Sequence, residues 1–157
     1  RRHLRAYEAD AEISHLDLLS GHISDTQDQG KEHKDGYGIA HLRDNGIEPV
    51  ILTGRKSEIV ARRAKELGIL LIFQGVEDKE SFLQAFMNER KVQKEEMAYI
   101  GDDDNDIQGM SLCKWIGCPS DASPNVITMS SFVSSCVGGN GAVREFIEYV
   151  QKINKDN

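Results

Sequence analysis

"MAYIGDDDNDIQGM", residues 97–110, decides how this chain folds. The apolar stretch Met97 to Ile100 stops at Gly101, and carboxylates with one amide, Asp102 to Asp106, follow at once. A short apolar run closed by glycine reads as a strand buried on both faces, as in a parallel sheet. Open α/β sheets place their ligands beyond the carboxyl ends of such strands, where this acidic run begins. Asp102, Asp104 and Asp106 match positions 1, 3 and 5 of a calcium loop, but Ile107 and Cys113 stand where that loop needs glycine and glutamate. A solvated acidic turn is the plain alternative. Carboxylates crowded at a strand end repel one another unless a cation offsets them, and oxygen donors without His or Cys suit Mg²⁺. The run therefore reads as a Mg²⁺ holder.

Outward from it, strand and helix alternate. "PVILTG" (49–54) is a second apolar run ending at glycine, and "ILLIFQG" (69–75) a third. Between them "SEIVARRAKELG" (57–68) predicts a helix capped by Ser57 and stopped at Gly68, and "KESFLQAFMNERK" (79–91) predicts the next. A short helix near 105–112, short strands in "KWIGCP" and "SSFVSSCV", and a closing helix in "GAVREFIEYVQKI" complete the pattern. The fold class is α/β: a Rossmann-like parallel sheet covered by helices on both faces. Two more strand ends carry matching chemistry. Thr53 and Gly54 offer a hydroxyl and an open backbone N–H to a phosphate-like anion. Lys79 opens the helix after "FQG", where the helix adds its own positive end. Hydroxyl, ammonium and metal-binding carboxylates on one sheet edge describe a phosphoryl-transfer site.

The bulk properties narrow the partners. A chain of 157 residues, 39% hydrophobic and 29% charged, predicts one globular domain. A net charge of -7 argues against nucleic acid. No stretch approaches the roughly 18 apolar residues of a membrane helix, and the basic start "RRHLR" has no apolar core of a signal peptide behind it. Cys113, Cys118 and Cys136 are odd in number and lack CxxC spacing, so they read as thiols of a reducing compartment, and the expected location is cytoplasmic.

"DGYGIAHLRDNGI", "ILTGRKSEIVARRAKELGI", "FQGVEDK", "AYIGDDDND" and "GGNGAVREFIEYV", in that order, resemble the haloacid dehalogenase superfamily, and within it the 3-deoxy-D-manno-octulosonate 8-phosphate phosphatases and their nine-carbon 9-phosphate relatives. The resemblance covers residues 35 to about 152. It implies a β-hairpin flap in place of a cap domain, and a homotetramer whose neighbouring subunits complete each site. It implies a sugar-acid phosphate as substrate and Mg²⁺ as cofactor. By the same resemblance Thr53 and Gly54 bind the phosphoryl group, Lys79 stabilises charge, and Asp102 ligates Mg²⁺ with Asp103 and Asp106 in support. Arg55 looks like the eight-carbon enzymes. Arg63 and Arg144 are candidate contacts to the sugar-acid carboxylate or to a neighbouring subunit, against the alternative of surface ion pairs.

The first 34 residues depart from that pattern. The family begins with an apolar strand ending in Asp-x-Asp-Gly, whose first Asp attacks phosphorus and whose second works as acid and base. Counting back from "DGYGI" gives Asp10-Ala11-Glu12, with Ile13 in the glycine position and no apolar strand before it. Asp17 and Asp25 are further candidates without a second Asp two residues on. Three readings stay open. In the first, Asp10 acts as a displaced nucleophile with Glu12 as its acid; in the second, the segment is altered at gene level; in the third, the chain is a silent relative, as in the tail domain of CMP-sialic acid synthetases.

Overall fold

The computed structural model describes residues 15–18, 39, 41–138 and 141–156, the first four by backbone position alone. Six strands form one sheet: β1 (His15–Leu18), β2 (Glu48–Leu52), β3 (Leu71–Phe73), β4 (Met97–Ile100), β5 (Trp115–Cys118) and β6 (Phe132–Val133). Their order is β3-β2-β1-β4-β5-β6, and every pair is parallel. Among the described residues five helices connect or close them: α1 (Glu58–Glu66), α2 (Lys79–Arg90), α3 (Ile107–Met110), α4 (Pro124–Met129) and α5 (Ala142–Asp156).

The strand residues sort by parity, as a pleated strand requires. Ile51, Ala98 and Ile100 face a core shared with Val60 and Ala64 of α1 and with Phe146, Ile147 and Val150 of α5. Val50, Leu52, Met97 and Tyr99 face the opposite core, with Leu83 and Phe86 of α2, Met110 of α3 and Val126 of α4. All four residues of β4 are buried, because both faces of the sheet are covered. Side chains of this size each contribute about 1.5–3 kcal/mol when removed from water, so the two cores hold the sheet. At β5 the sheet and α5 approach so closely that a Cβ on Gly117 would collide with the ring of Phe146.

This is the Rossmann-like α/β arrangement that the alternation predicted. One element differs. No apolar strand was expected in the first 34 residues, yet His15–Leu18 lies between β2 and β4. Its four residues alternate polar and apolar, where a strand covered on both faces is expected to read as a continuous apolar run, so the sequence does not mark it as a central strand. The chain runs β1, β2, β3 to one side and β4, β5, β6 to the other, which puts the topological switch at the carboxyl ends of β1 and β4. That is where such sheets bind ligands. Asp10, Glu12, Asp25 and the expected hairpin flap lie outside the described residues. Among those described, no helix is long and apolar enough to cross a membrane.

Candidate active site

Register sets the frame of the site. Val50 and Tyr99 pair with the same residue of β1, Asp17, so Thr53 and Asp102, each three residues further on, stand level on either side of that strand. Two strand spacings separate them, about 10 Å. Asp17 itself lies three residues short of both, about 10 Å back from the tips. As a candidate nucleophile it is therefore inside the sheet rather than at its edge.

The β4 tip is organised around Asp106, which is only 5% exposed. Lys79 Nζ and the Tyr99 hydroxyl donate to its Oδ1 at 2.7 and 2.9 Å. The backbone N–H groups of Asp102 and Asp103 donate to its Oδ2 at 3.3 and 3.2 Å. The approach leaves no room for a side chain at residue 101: a Cβ on Gly101 would lie 2.9 Å from Asp106 Cγ. Asp103 reciprocates as the N-cap of the 3-10 turn Asp104–Asp106, and its Oδ1 accepts from Asp104 N at 2.8 Å. Asp104 is tied in turn by Ser123, whose Oγ donates to Asp104 Oδ1 at 2.6 Å.

Lys79 is the first residue of α2, so its ammonium stands at the end of the helix that favours anions. Its side chain is 11% exposed, and the short ion pair to Asp106 holds it there. Asp78 caps the helix instead, accepting from Ser81 N at 3.0 Å. A buried cation at the wrong end of a dipole is a poor stabilising choice and a good one for meeting an anionic ligand.

The β2 tip is built from backbone. Thr53 N donates to Phe73 O at 3.0 Å, Val76 N to Thr53 O at 3.0 Å, and Gly75 N to Arg55 O at 3.0 Å. Gln74 grips the amide groups of Ser57 from both sides, accepting from Ser57 N at 2.6 Å and donating to Ser57 O at 3.2 Å. Thr53 Oγ1 accepts from Arg55 N at 3.2 Å, which turns its proton outward as a donor for an anion. Gly54 and Arg55 are exposed beside it.

Among the described residues no group of three His, Cys, Asp or Glu side chains is clustered for a metal ion. Asp106 engages both oxygens with Lys79, Tyr99 and two backbone N–H groups, and Asp103 caps the turn, an arrangement in keeping with the supporting places that the resemblance implies beside Asp102. Asp102 keeps the character of a ligand. Burial, then the charges of Asp106, Asp103 and Asp121, push its carboxyl above the usual value. A half-buried carboxylate crowded by like charges fits a divalent cation.

This geometry agrees with what the chain is similar to. The haloacid dehalogenase-like hydrolase family matches it over residues 10–113. The chain belongs to that family. A 3-deoxy-D-manno-octulosonate 8-phosphate phosphatase of Haemophilus influenzae is 38% identical over 117 residues, which cover 74% of this chain and 65% of that one. The Yersinia pestis enzyme of the same name is 35% identical over 127 residues, 78% of this chain and 68% of its own. The crystal structure of the Moraxella catarrhalis phosphatase, in complex with a magnesium ion, a phosphate ion and a KDO molecule, superposes with a TM-score of 0.81 at 32% identity, covering 92% of this chain and 88% of that one. The chain thus spans about two thirds of the length of these two curated relatives.

In this member of the haloacid dehalogenase-like hydrolase family, the two arginines weighed as contacts to substrate or a neighbouring subunit, against surface ion pairs, each form an ion pair along their own helix. Arg63 Nη1 meets Glu66 at 3.2 Å, and Arg144 Nε meets Glu148 at 3.1 Å. Arg144 lies in the first turn of α5, near the edge that carries the strand tips, while Arg63 sits midway along α1. Tyr99 and Ser123 are working parts of the site that sequence reasoning missed. Tyr99 reads as core in an apolar run, and only the fold brings its hydroxyl to Asp106. The signal for Ser123 was present in "SP" at 123–124, which places a capping serine before a helix.

Proposed function

We propose that this chain is a divalent-metal-dependent phosphatase that hydrolyses the phosphate monoester of a 3-deoxy-ulosonic acid, with 3-deoxy-D-manno-octulosonate 8-phosphate as the first-choice substrate. The observation that carries the reading is the level placement of Thr53 and Asp102 across β1, with Lys79 fixed by Asp106 beside them. Phosphate oxygens would accept from the Thr53 hydroxyl, the Gly54 N–H and the Lys79 ammonium. Mg²⁺, held by Asp102, would supply charge neutralisation at the phosphoryl group. A carboxylate oxygen attacks phosphorus and the ester oxygen departs with a proton, leaving an aspartyl-phosphate. Water then breaks the new P–O bond and restores the carboxylate. The direction of β1 leads the chain from His15 toward the tips at Leu18, which favours an attacking group beyond Leu18 over Asp10 before it. Arg55, exposed next to Thr53, supports an eight-carbon sugar acid. By the resemblance carried in the sequence, the enzyme would act in the cytoplasm as a homotetramer.

Phosphate release from 3-deoxy-D-manno-octulosonate 8-phosphate, with Mg²⁺ and with EDTA, tests the reading. Mg²⁺-dependent release lost in Asp102→Asn and Lys79→Met is the expected result, and comparison of Asp10→Asn with Asp25→Asn then locates the attacking group. A folded chain that binds Mg²⁺ but releases no phosphate from eight- or nine-carbon substrates would establish a silent relative instead.

A further inference from the structure

Glu145, in the first turn of α5, gathers the segment that precedes the helix. Its Oε1 accepts from Ser134 Oγ at 2.5 Å and from Ser135 N at 3.0 Å, and its Oε2 from Ser135 Oγ at 2.8 Å. None of these donors belongs to its own helix, so the side chain is not simply closing the helix end. Ser134 is 2% exposed, and its Oγ accepts from Cys136 N at 2.9 Å. Two further bonds cross to the turn after β5. Ser120 N donates to Cys136 O at 2.9 Å, and Gly138 N donates to Asp121 Oδ1 at 2.9 Å. That turn is joined to the β4 tip by Ser123, whose N donates to Asp102 O at 3.0 Å and whose Oγ reaches Asp104. A hydrogen-bonded path therefore runs from α5 to the acidic tip, and Asp121 lies on it. Asp121 stands two residues before Ser123, whose N–H is bonded to the Asp102 carbonyl, so the turn carries its carboxylate at the acidic tip.

We infer that Glu145 is a positioning residue which, through segment 134–138, fixes the Asp121 carboxylate beside Asp102 and so sets the affinity of that tip for a divalent cation. The inference rests on the metal-dependent reading given above. Ser135 and Val137 are exposed, so the segment has little apolar packing of its own to keep it in place. Polar anchors must do that instead, and Glu145 supplies the largest group of them. An anion near a cation site strengthens binding in proportion to how well it is held, since a mobile carboxylate must be ordered at each binding event.

The test is a Mg²⁺ titration of the full chain by calorimetry, alongside thermal denaturation in EDTA. Glu145→Ala should weaken Mg²⁺ binding about 10-fold, the lower end of the range for groups that support metal ligands. Asp121→Asn should give a similar loss. Because both act through one path, the double variant should bind no more weakly than Asp121→Asn alone. Glu145→Gln and Ser135→Ala keep most of the anchors and provide the measurement should Glu145→Ala not fold; both should show smaller losses in the same direction. Glu148→Gln, one turn further along α5, should leave Mg²⁺ affinity unchanged. A lower melting temperature with unaltered Mg²⁺ affinity, or additive losses in the double variant, overturns this inference and leaves the phosphatase reading standing. Failure of the unsubstituted chain to bind Mg²⁺ overturns both.

Discussion

At the β2 tip the chain around Thr53 is lashed to residues 73–76 by main-chain hydrogen bonds, whereas the β4 tip adds to its main-chain bonds with Gly117 and Ser123 a buried side-chain hub, Asp106, with four partners. Main-chain bonds survive most substitutions, because every residue but proline brings the same donor and acceptor. A buried side-chain hub does not. The two halves of one site thus differ in how they fail: damage at the first tip should change chemistry alone, and damage at the second should change chemistry and folding together.

The sharpest break is Asp106→Ala. It leaves the Lys79 ammonium buried without its partner, and loss of one member of such a pair costs about 3–5 kcal/mol. Urea unfolding should show that drop, with phosphatase activity lost in the fraction still folded. Gly117→Ala, placed against Phe146 and away from both tips, should destabilise by about 1–3 kcal/mol through overpacking and leave Mg²⁺ affinity intact. Thr53→Ala probes the main-chain tip. It should lower kcat by about 100-fold, as loss of an oxyanion donor does, with a stability change below about 1 kcal/mol. A large stability loss in that variant would erase the contrast between the tips.

The smallest effect has an unusual sign. Asp102 is raised above its ordinary value by burial first and by Asp106, Asp103 and Asp121 next, so its ionised form weighs against the folded state. The penalty is present above the raised folded value and fades as pH falls to the ordinary carboxylate range. Asp102→Asn should therefore raise the unfolding free energy in EDTA at pH 7, by less than about 1 kcal/mol once solvent screening is allowed for, and the melting temperature with it. The gain should shrink toward pH 4. With Mg²⁺ added, the order should reverse, since only the unsubstituted chain gains a ligand.

Much of this arrangement was legible before any coordinates. "MAYIGD", "PVILTG" and the capped helix beginning at Lys79 carry their own signals: apolar runs closed by glycine, and a polar cap ahead of a helical stripe. "HLDL" was not legible, because a four-residue strand with a histidine and an aspartate has the look of a loop, and its neighbours in the sheet come from distant sequence. The helix Pro124–Met129 was missed for its six-residue length, too short for periodicity to register. Asp106 was expected, by resemblance, in support of Asp102, and sequence spacing by itself shows only which carboxylates are near one another. It does not show that Lys79, far away in the chain, and Tyr99, on a strand, would claim one of its oxygens first.

The placement of β1 also governs the order in which the molecule can be assembled. Its residue 15 pairs with residue 48 on one side and with residue 97 on the other, and β2 and β4 touch the sheet's middle only through it. The β1–β2–β3 wing can close on a growing chain as soon as residue 73 has emerged, while the seam to β4 must wait for residues 97–100 and for a loop of long sequence separation to shut. The two tips meet across that seam, so a nascent or partly melted chain that lacks it would hold a nearly complete wing and no site at all.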